Sequence, residues 1–130
     1  VAALFVSSFG SGRPILCLHG IEAHGIRFVG LAERLRATLV LAPDLRGHGR
    51  SPMEGPWTIE QHMRDLVPIL ENLGPDAVLL GHSYGGLIAW ELARIEPELI
   101  SALILVDPAI AITSELAGAN VAQFSAVEHR

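Results

Sequence analysis

The chain has 130 residues, half of them apolar and 18% charged, a length and balance that suit one domain with a sizeable buried core. Its formal charge of −5 is spread along the sequence without a basic patch, so nucleic acid is not an expected partner. No apolar run reaches the roughly 20 residues that span a bilayer, and the first residues lack the basic segment and apolar run of a secretory leader. The single cysteine, Cys17, excludes an internal disulfide and reads as a small buried hydrophobe, so a cytoplasmic protein with no membrane attachment is expected.

In chain order, Leu4 to Ser8 reads as a strand, Ser8 to Pro14 as a turn and Ile15 to Leu18 as the next strand, together a hairpin leading into a parallel sheet. Apolar residues at Phe28, Leu31, Ala32 and Leu35 recur at helical spacing, which predicts an amphipathic helix over Ile26 to Arg36. Thr38 to Leu41 returns as a short buried strand. Thr58 and Gln61 form a capping-box signature opening a helix to about Leu73, which Pro68 is expected to kink or interrupt and Gly74-Pro75 to end. Ala77 to Leu80 reads as a central strand, Gly85 to Glu96 as a helix stopped at Pro97, and Ala102 to Val106 as the last clear strand. Strands alternating with helices predict an α/β fold: a doubly wound, mostly parallel sheet with helices on both faces.

One stretch carries chemistry. Gly81-His82-Ser83-Tyr84-Gly85 sits between a strand and a helix, and its glycines leave room for a tight turn that holds a serine in a strained conformation, its hydroxyl pushed out above the sheet. Ser83 is the candidate nucleophile. The helix that follows aims unpaired backbone N–H groups and a positive dipole end at the same place.

Two further segments agree with this reading: Ile15 to Gly20, a strand ending in His19-Gly20, and Ala42 to Ser51, a glycine-rich loop after another strand. With these motifs in this order, residues 1 to about 108 resemble the α/β-hydrolase fold family, in particular its soluble esterase, lactonase and C–C-bond hydrolase branch. The resemblance implies a catalytic Ser83 with an oxyanion hole made by the backbone N–H groups of Ile21 and Tyr84, whose side chains then line a pocket for an apolar ester or ketone. An aspartate at position 83 would instead have pointed to dehalogenase or epoxide hydrolase chemistry. No cofactor is implied, and no histidine pair has the spacing and carboxylate partner of a metal site.

The family order of triad residues is Ser, Asp or Glu, His. Asp107, at the end of a neighbouring strand, is a candidate acid, although Asp107-Pro108 also reads as the start of a plain turn and that reading is preferred. His129 completes the order but is the penultimate residue of a segment without a strand pattern, and it is set aside as the base. Among the other histidines, His19 is expected behind the oxyanion loop, His48 fixing its own loop, His82 turned away from the pocket in a structural hydrogen bond, His24 near the pocket mouth, and His62 on a helix without a partner.

The expected organisation is therefore the amino-terminal part of a hydrolase core over residues 1–108, with the start of a cap or a following helix over 109–130 and the base beyond Arg130. Such a segment alone is expected to be inactive and poorly soluble. Within the fold the rival function is a cofactor-free perhydrolase or acyltransferase using the same serine. Outside it the rival is a non-catalytic binding protein that kept the fold.

Overall fold

A computed structural model of the chain describes residues 3–110. The elements are β1 (Val6–Gly10), β2 (Arg13–Leu18), a short 3-10 turn (Gly25–Phe28), α1 (Val29–Arg34), β3 (Thr38–Pro43), α2 (Ile59–Leu73), β4 (Val78–His82), α3 (Tyr84–Ile95) and β5 (Ala102–Val106). They form a five-stranded sheet in the order β1-β3-β2-β4-β5, parallel except for β1. His129 and residues 111–130, most of the expected cap or following helix, lie outside the described residues.

The expected β1–β2 hairpin is not what forms. β1 pairs antiparallel with β3, and β3 lies between it and β2. Gly10 pairs with Leu39 and Arg13 with Thr38, so the two-residue link Ser11-Gly12 steps across the start of β3 instead of folding β1 back onto β2. That step runs close to backbone: Gly10 and Gly12 both have positive φ, 78° and 123°, and a Cβ on either would collide with the carbonyl of Thr38 or Ala37. The Arg13 N–H donates to the Ala37 carbonyl at 3.0 Å and ties the link down.

The sheet has apolar cover on both faces. On one, α2 and α3 pack Leu66, Leu70, Ile88, Ala89 and Leu92 against Leu16, Leu18 and Leu79, while on the other Phe28, Leu31 and Ala32 pack against Cys17, Val40 and Leu80. Fully burying each leucine contributes about 1.5–3 kcal/mol, so these layers dominate the folding energy. Burial pushes the Cys17 thiol up to about 12, as expected of an inert core residue.

The first predicted helix is shorter than its pattern. Gly25–Phe28 winds as a 3-10 turn, with the Gly25 N–H bonded at 2.7 Å to Asp44 Oδ1, and α1 ends before Leu35, which is extended. α2 opens as expected, Thr58 Oγ1 accepting from the Gln61 N–H at 3.2 Å, but the Gln61 side chain turns forward to Asp65 and does not close a reciprocal box. α2 also runs through Pro68 without interruption. Arg64 and Pro68 are both exposed, so the carbonyl that loses its partner belongs to the outer side of the helix, where hydration can offset the loss.

β5 is a sheet edge, and its Ile104 and Val106 are each close to half exposed. No helix of the described residues is long and apolar enough to cross a membrane.

Candidate active site

β4 delivers Ser83 at its carboxyl end and α3 begins at the next residue. Ser83 therefore occupies the helix N-cap position, where a serine ordinarily turns its hydroxyl back to cap the first turn. It does not do so here: its backbone has φ 53° and ψ −117°, and its side chain makes no capping hydrogen bond. Such a conformation costs on the order of 1–3 kcal/mol and persists only where the surroundings over-determine it.

Those surroundings are identifiable. The Ser83 N–H donates to the Val106 carbonyl at 3.1 Å, and its own carbonyl accepts from the N–H groups of Gly86, Leu87 and Ala109 at 2.9, 3.2 and 2.9 Å. A Cβ on Gly81 would run into the backbone of Gly85, and one on Gly85 into the carbonyls of Leu18 and His19. Both outer glycines of the motif are thus required by close approach, one within the turn and one between the turn and β2.

β2 lies beside β4 in parallel, Leu18 opposite Gly81. Ile21 and Tyr84 each come three residues after that pair, so the two loops leave the sheet at the same end. They touch: a Cβ built on Gly20 would lie 3.2 Å from the Ser83 Cβ. As the first residue of α3, Tyr84 has no carbonyl four residues back within the helix for its N–H. Tyr84 is half-buried, and burial raises its phenol above the ordinary value. Ile21, expected to line the pocket, is 64% exposed among the described residues. A concavity of about 510 Å³, lined by Met63, Val67, Pro68 and Ile95, lies at the opposite end of α3 from Ser83.

His19 holds the loop after β2 in place. It is fully buried, its Nδ1 donates to the Gly20 carbonyl at 2.6 Å and its Nε2 accepts from the Leu45 N–H at 2.9 Å, so both nitrogens are engaged and the tautomer follows from the backbone acceptor. Burial lowers its pKa to about 4; the bond to Gly20 partly offsets this and His48 adds to it. His19 thus lies behind the loop after β2, the loop expected to carry the Ile21 N–H.

The loop after β3 is the other support, and its inner bonding was not legible in the sequence. Asp44 Oδ1 and Oδ2 accept from the N–H groups of Gly25 and Arg50 at 2.7 and 3.0 Å. Arg46 makes a two-pronged pair with Asp65 of α2, both contacts 2.8 Å, and donates to the Glu54 carbonyl at 3.0 Å. The hydrogen bond to the Asp65 carboxylate raises the Arg46 pKa further, so the guanidinium stays charged. An Arg in a Gly-rich loop and an Asp nearly two turns into the following helix are the sequence trace of this clamp. His48 lies within it, its Nδ1 3.2 Å from the Arg46 carbonyl and its ring edge-on to His19 at 5.0 Å.

One expectation for the histidines changes: His82 makes no structural hydrogen bond at Nδ1, which is buried beside Gly20 without a partner among the described residues. His62, expected to be without a partner, has no hydrogen-bond partner at Nδ1 among the described residues, but it is 2% exposed and packs edge-on against Tyr84, ring centres 5.6 Å apart. His24 is exposed, lining a shallow cleft with Asp44 and Arg50.

Asp107 follows the His82–Val106 pair of β4 and β5, at the level of Ser83, and is exposed with φ 45°. Pro108 after it packs against Gly86 of α3. Among the described residues, no three His, Cys, Asp or Glu side chains are grouped to hold a metal ion.

Known proteins resemble this arrangement. Lipase LipV of Mycobacterium tuberculosis is 42% identical over 112 residues, 84% of this chain and 43% of that protein. Epoxide hydrolase 2 of Siraitia grosvenorii is 35% identical over 78% of this chain and 34% of its own length. Among solved structures, a marine microorganism esterase superposes with a TM-score of 0.78 at 28% identity, covering 98% of this chain and 51% of that one. The chain thus spans about half or less of the proteins it matches. The model of the alpha/beta hydrolase fold family matches residues 13–127, and together with the mostly parallel sheet and the strand-to-helix turn at Ser83 this makes the chain a member of that family.

Proposed function

We propose that the protein is a serine hydrolase that cleaves carboxylic esters or related acyl bonds, with Ser83 as nucleophile. The observation that carries this is the Ser83 backbone at φ 53°, ψ −117°, strained and with the hydroxyl unused as a helix cap. A serine placed only for structure would cap α3 from an ordinary extended conformation.

The Ser83 Oγ attacks the carbonyl carbon and loses its proton to a base. The charge that develops on the carbonyl oxygen is held by the N–H groups of Ile21 and Tyr84. Collapse expels the alcohol, which takes the proton back, and water releases the acyl group by the same route. His19 cannot be the base, because both its nitrogens are engaged by backbone and its charged form is disfavoured. The base is assigned outside the described residues. Asp107 acts through its backbone, starting the turn whose Ala109 N–H bonds the Ser83 carbonyl.

The names lipase and esterase among the relatives support an ester substrate. Epoxide hydrolase chemistry is disfavoured by the serine at position 83. The substrate is a small molecule with an apolar acyl or alcohol part, and water is the acceptor.

The test is hydrolysis of p-nitrophenyl acetate and butyrate by the full-length protein. Ser83→Ala abolishes it, while Asp107→Asn stays within about tenfold of wild type. Equal rates for wild type and Ser83→Ala would overturn the proposal, and a loss beyond a hundredfold in Asp107→Asn would make Asp107 the triad acid.

A further inference from the structure

His62 is a buried polar residue that neither the fold nor the reaction has used. It lies in the first turn of α2, 2% exposed, with its backbone N–H satisfied by the Thr58 carbonyl at 3.0 Å. Its Nδ1 is buried without a hydrogen-bond partner among the described residues. An unpartnered imidazole nitrogen in a protein interior is unfavourable, and a leucine would fill the same place without that cost. Helix α2 does not require a histidine, since its apolar face is already supplied by Leu66 and Leu70.

What the ring does touch is Tyr84. The two rings meet edge to face, 5.6 Å between centres and 80° between planes, the arrangement aromatic pairs prefer. Tyr84 is the residue that follows Ser83 and opens α3. The ring and the N–H hang from one Cα at the start of α3, so packing that immobilises the ring restricts the movement of the backbone that carries the amide.

We propose that His62 is a positioning residue of the nucleophile turn: by holding the Tyr84 ring it holds the Tyr84 N–H at the oxyanion position beside Ser83. The step to the oxyanion rests on the serine-hydrolase reading; the coupling of His62 to Tyr84 does not. A histidine does this where leucine would not, because a flat ring presents an edge to the tyrosine face. It also makes the position responsive to protonation. The groups facing His62 are Arg46 and His48 from the loop after β3, Asp65 from α2 itself and Tyr84 from α3. Burial, His48 and Arg46 hold the ring neutral near pH 7, against the pull of Asp65.

The experiment has two arms. Tyr84 is the single tyrosine of these 130 residues, and in full-length protein carrying 3-fluorotyrosine the fluorine NMR signal that Tyr84→Phe removes is the one that reports on it. In wild type the signal moves as pH falls from 8 to 5, with a midpoint below the ordinary histidine value. In His62→Phe it stays fixed near its neutral position. A wild-type signal that follows neither the pH nor the substitution would overturn the contact.

In the second arm a fluorophosphonate labels Ser83 of the full-length protein at pH 8. His62→Ala slows labelling about tenfold or more and His62→Phe restores it to within about threefold, at unfolding midpoints matched by choice of temperature. Equal labelling of all three forms would overturn the positioning role even where the NMR arm holds. Absence of labelling in wild type would sink the serine-hydrolase reading, and the oxyanion role with it, while the NMR arm still decides whether His62 holds Tyr84.

Discussion

Replacing Gly85 by alanine sets two effects of opposite sign against each other at the turn that carries Ser83. Gly85 is in the first turn of α3, and alanine there is favoured by helix propensity by about 0.5–1 kcal/mol. The added Cβ, however, would sit well inside 3.0 Å of the Leu18 and His19 carbonyls, a separation real Cβ atoms essentially never show. These obstacles belong to the backbone of central strand β2 and its continuation, so no side chain can swing aside. Either α3 or the end of β2 must give by up to roughly 1 Å, and overpacking of this kind costs about 1–3 kcal/mol, here at the upper end. The net effect is a destabilisation of about 2 kcal/mol, a fall in Tm of roughly 8 °C for a domain of this size. Since a 1 Å misplacement costs up to about a hundredfold in rate, fluorophosphonate labelling of Ser83 also slows by one to two orders of magnitude below the variant's melting temperature. Thermal unfolding followed by circular dichroism, with labelling at a temperature where both forms are folded, measures both. A variant that melts at the wild-type temperature or above would refute the close approach of α3 to β2.

Gly30, in α1, has nothing within 4 Å of its would-be Cβ, so Gly30→Ala keeps only the favourable part and raises stability by about 0.5–1 kcal/mol in urea titrations. Thr58→Ala removes the side-chain cap of α2 and lowers stability by about 1 kcal/mol, while Thr58→Ser retains most of it. Acid weakens the fold through His19. The unfolded chain takes up that proton near pH 6.5 and the folded one only near 4, so between these values the unfolded state binds more protons and stability falls as pH falls, by at most about 3 kcal/mol. Urea titrations from pH 7 to 5 show this slope, and His19→Gln, which can still donate to Gly20 and accept from Leu45, flattens it. A stability that rises toward pH 5 would contradict the assignment.

Ser83 could be found in the sequence because its turn is built from local necessities: glycines where backbone meets backbone, a strand before and a helix after. The start of α2 was legible for the same reason, Thr58 capping it with a bond that spans three residues. What failed was long-range. The link Ser11-Gly12 looks like a hairpin turn, but its course depends on β3 arriving between β1 and β2, which no pattern within the link records. α1 was overestimated because Gly25 is held by Asp44 from another loop, against the helical spacing of its neighbours. The Arg46–Asp65 clamp and the His62–Tyr84 contact likewise join residues 19 and 22 positions apart, and only the folded chain brings them together. Pro68 was given too much weight, since its cost depends on whether the orphaned carbonyl faces solvent or core.

The central claim is that Ser83 is an activated nucleophile. Its most direct test is to treat the folded full-length protein with a fluorophosphonate and locate the adduct by peptide mass spectrometry. One phosphonyl group is expected, on Ser83, absent in Ser83→Ala and slower to form in Gly85→Ala. A folded protein that remains unmodified, or that is modified at another serine while Ser83 stays free, would contradict it.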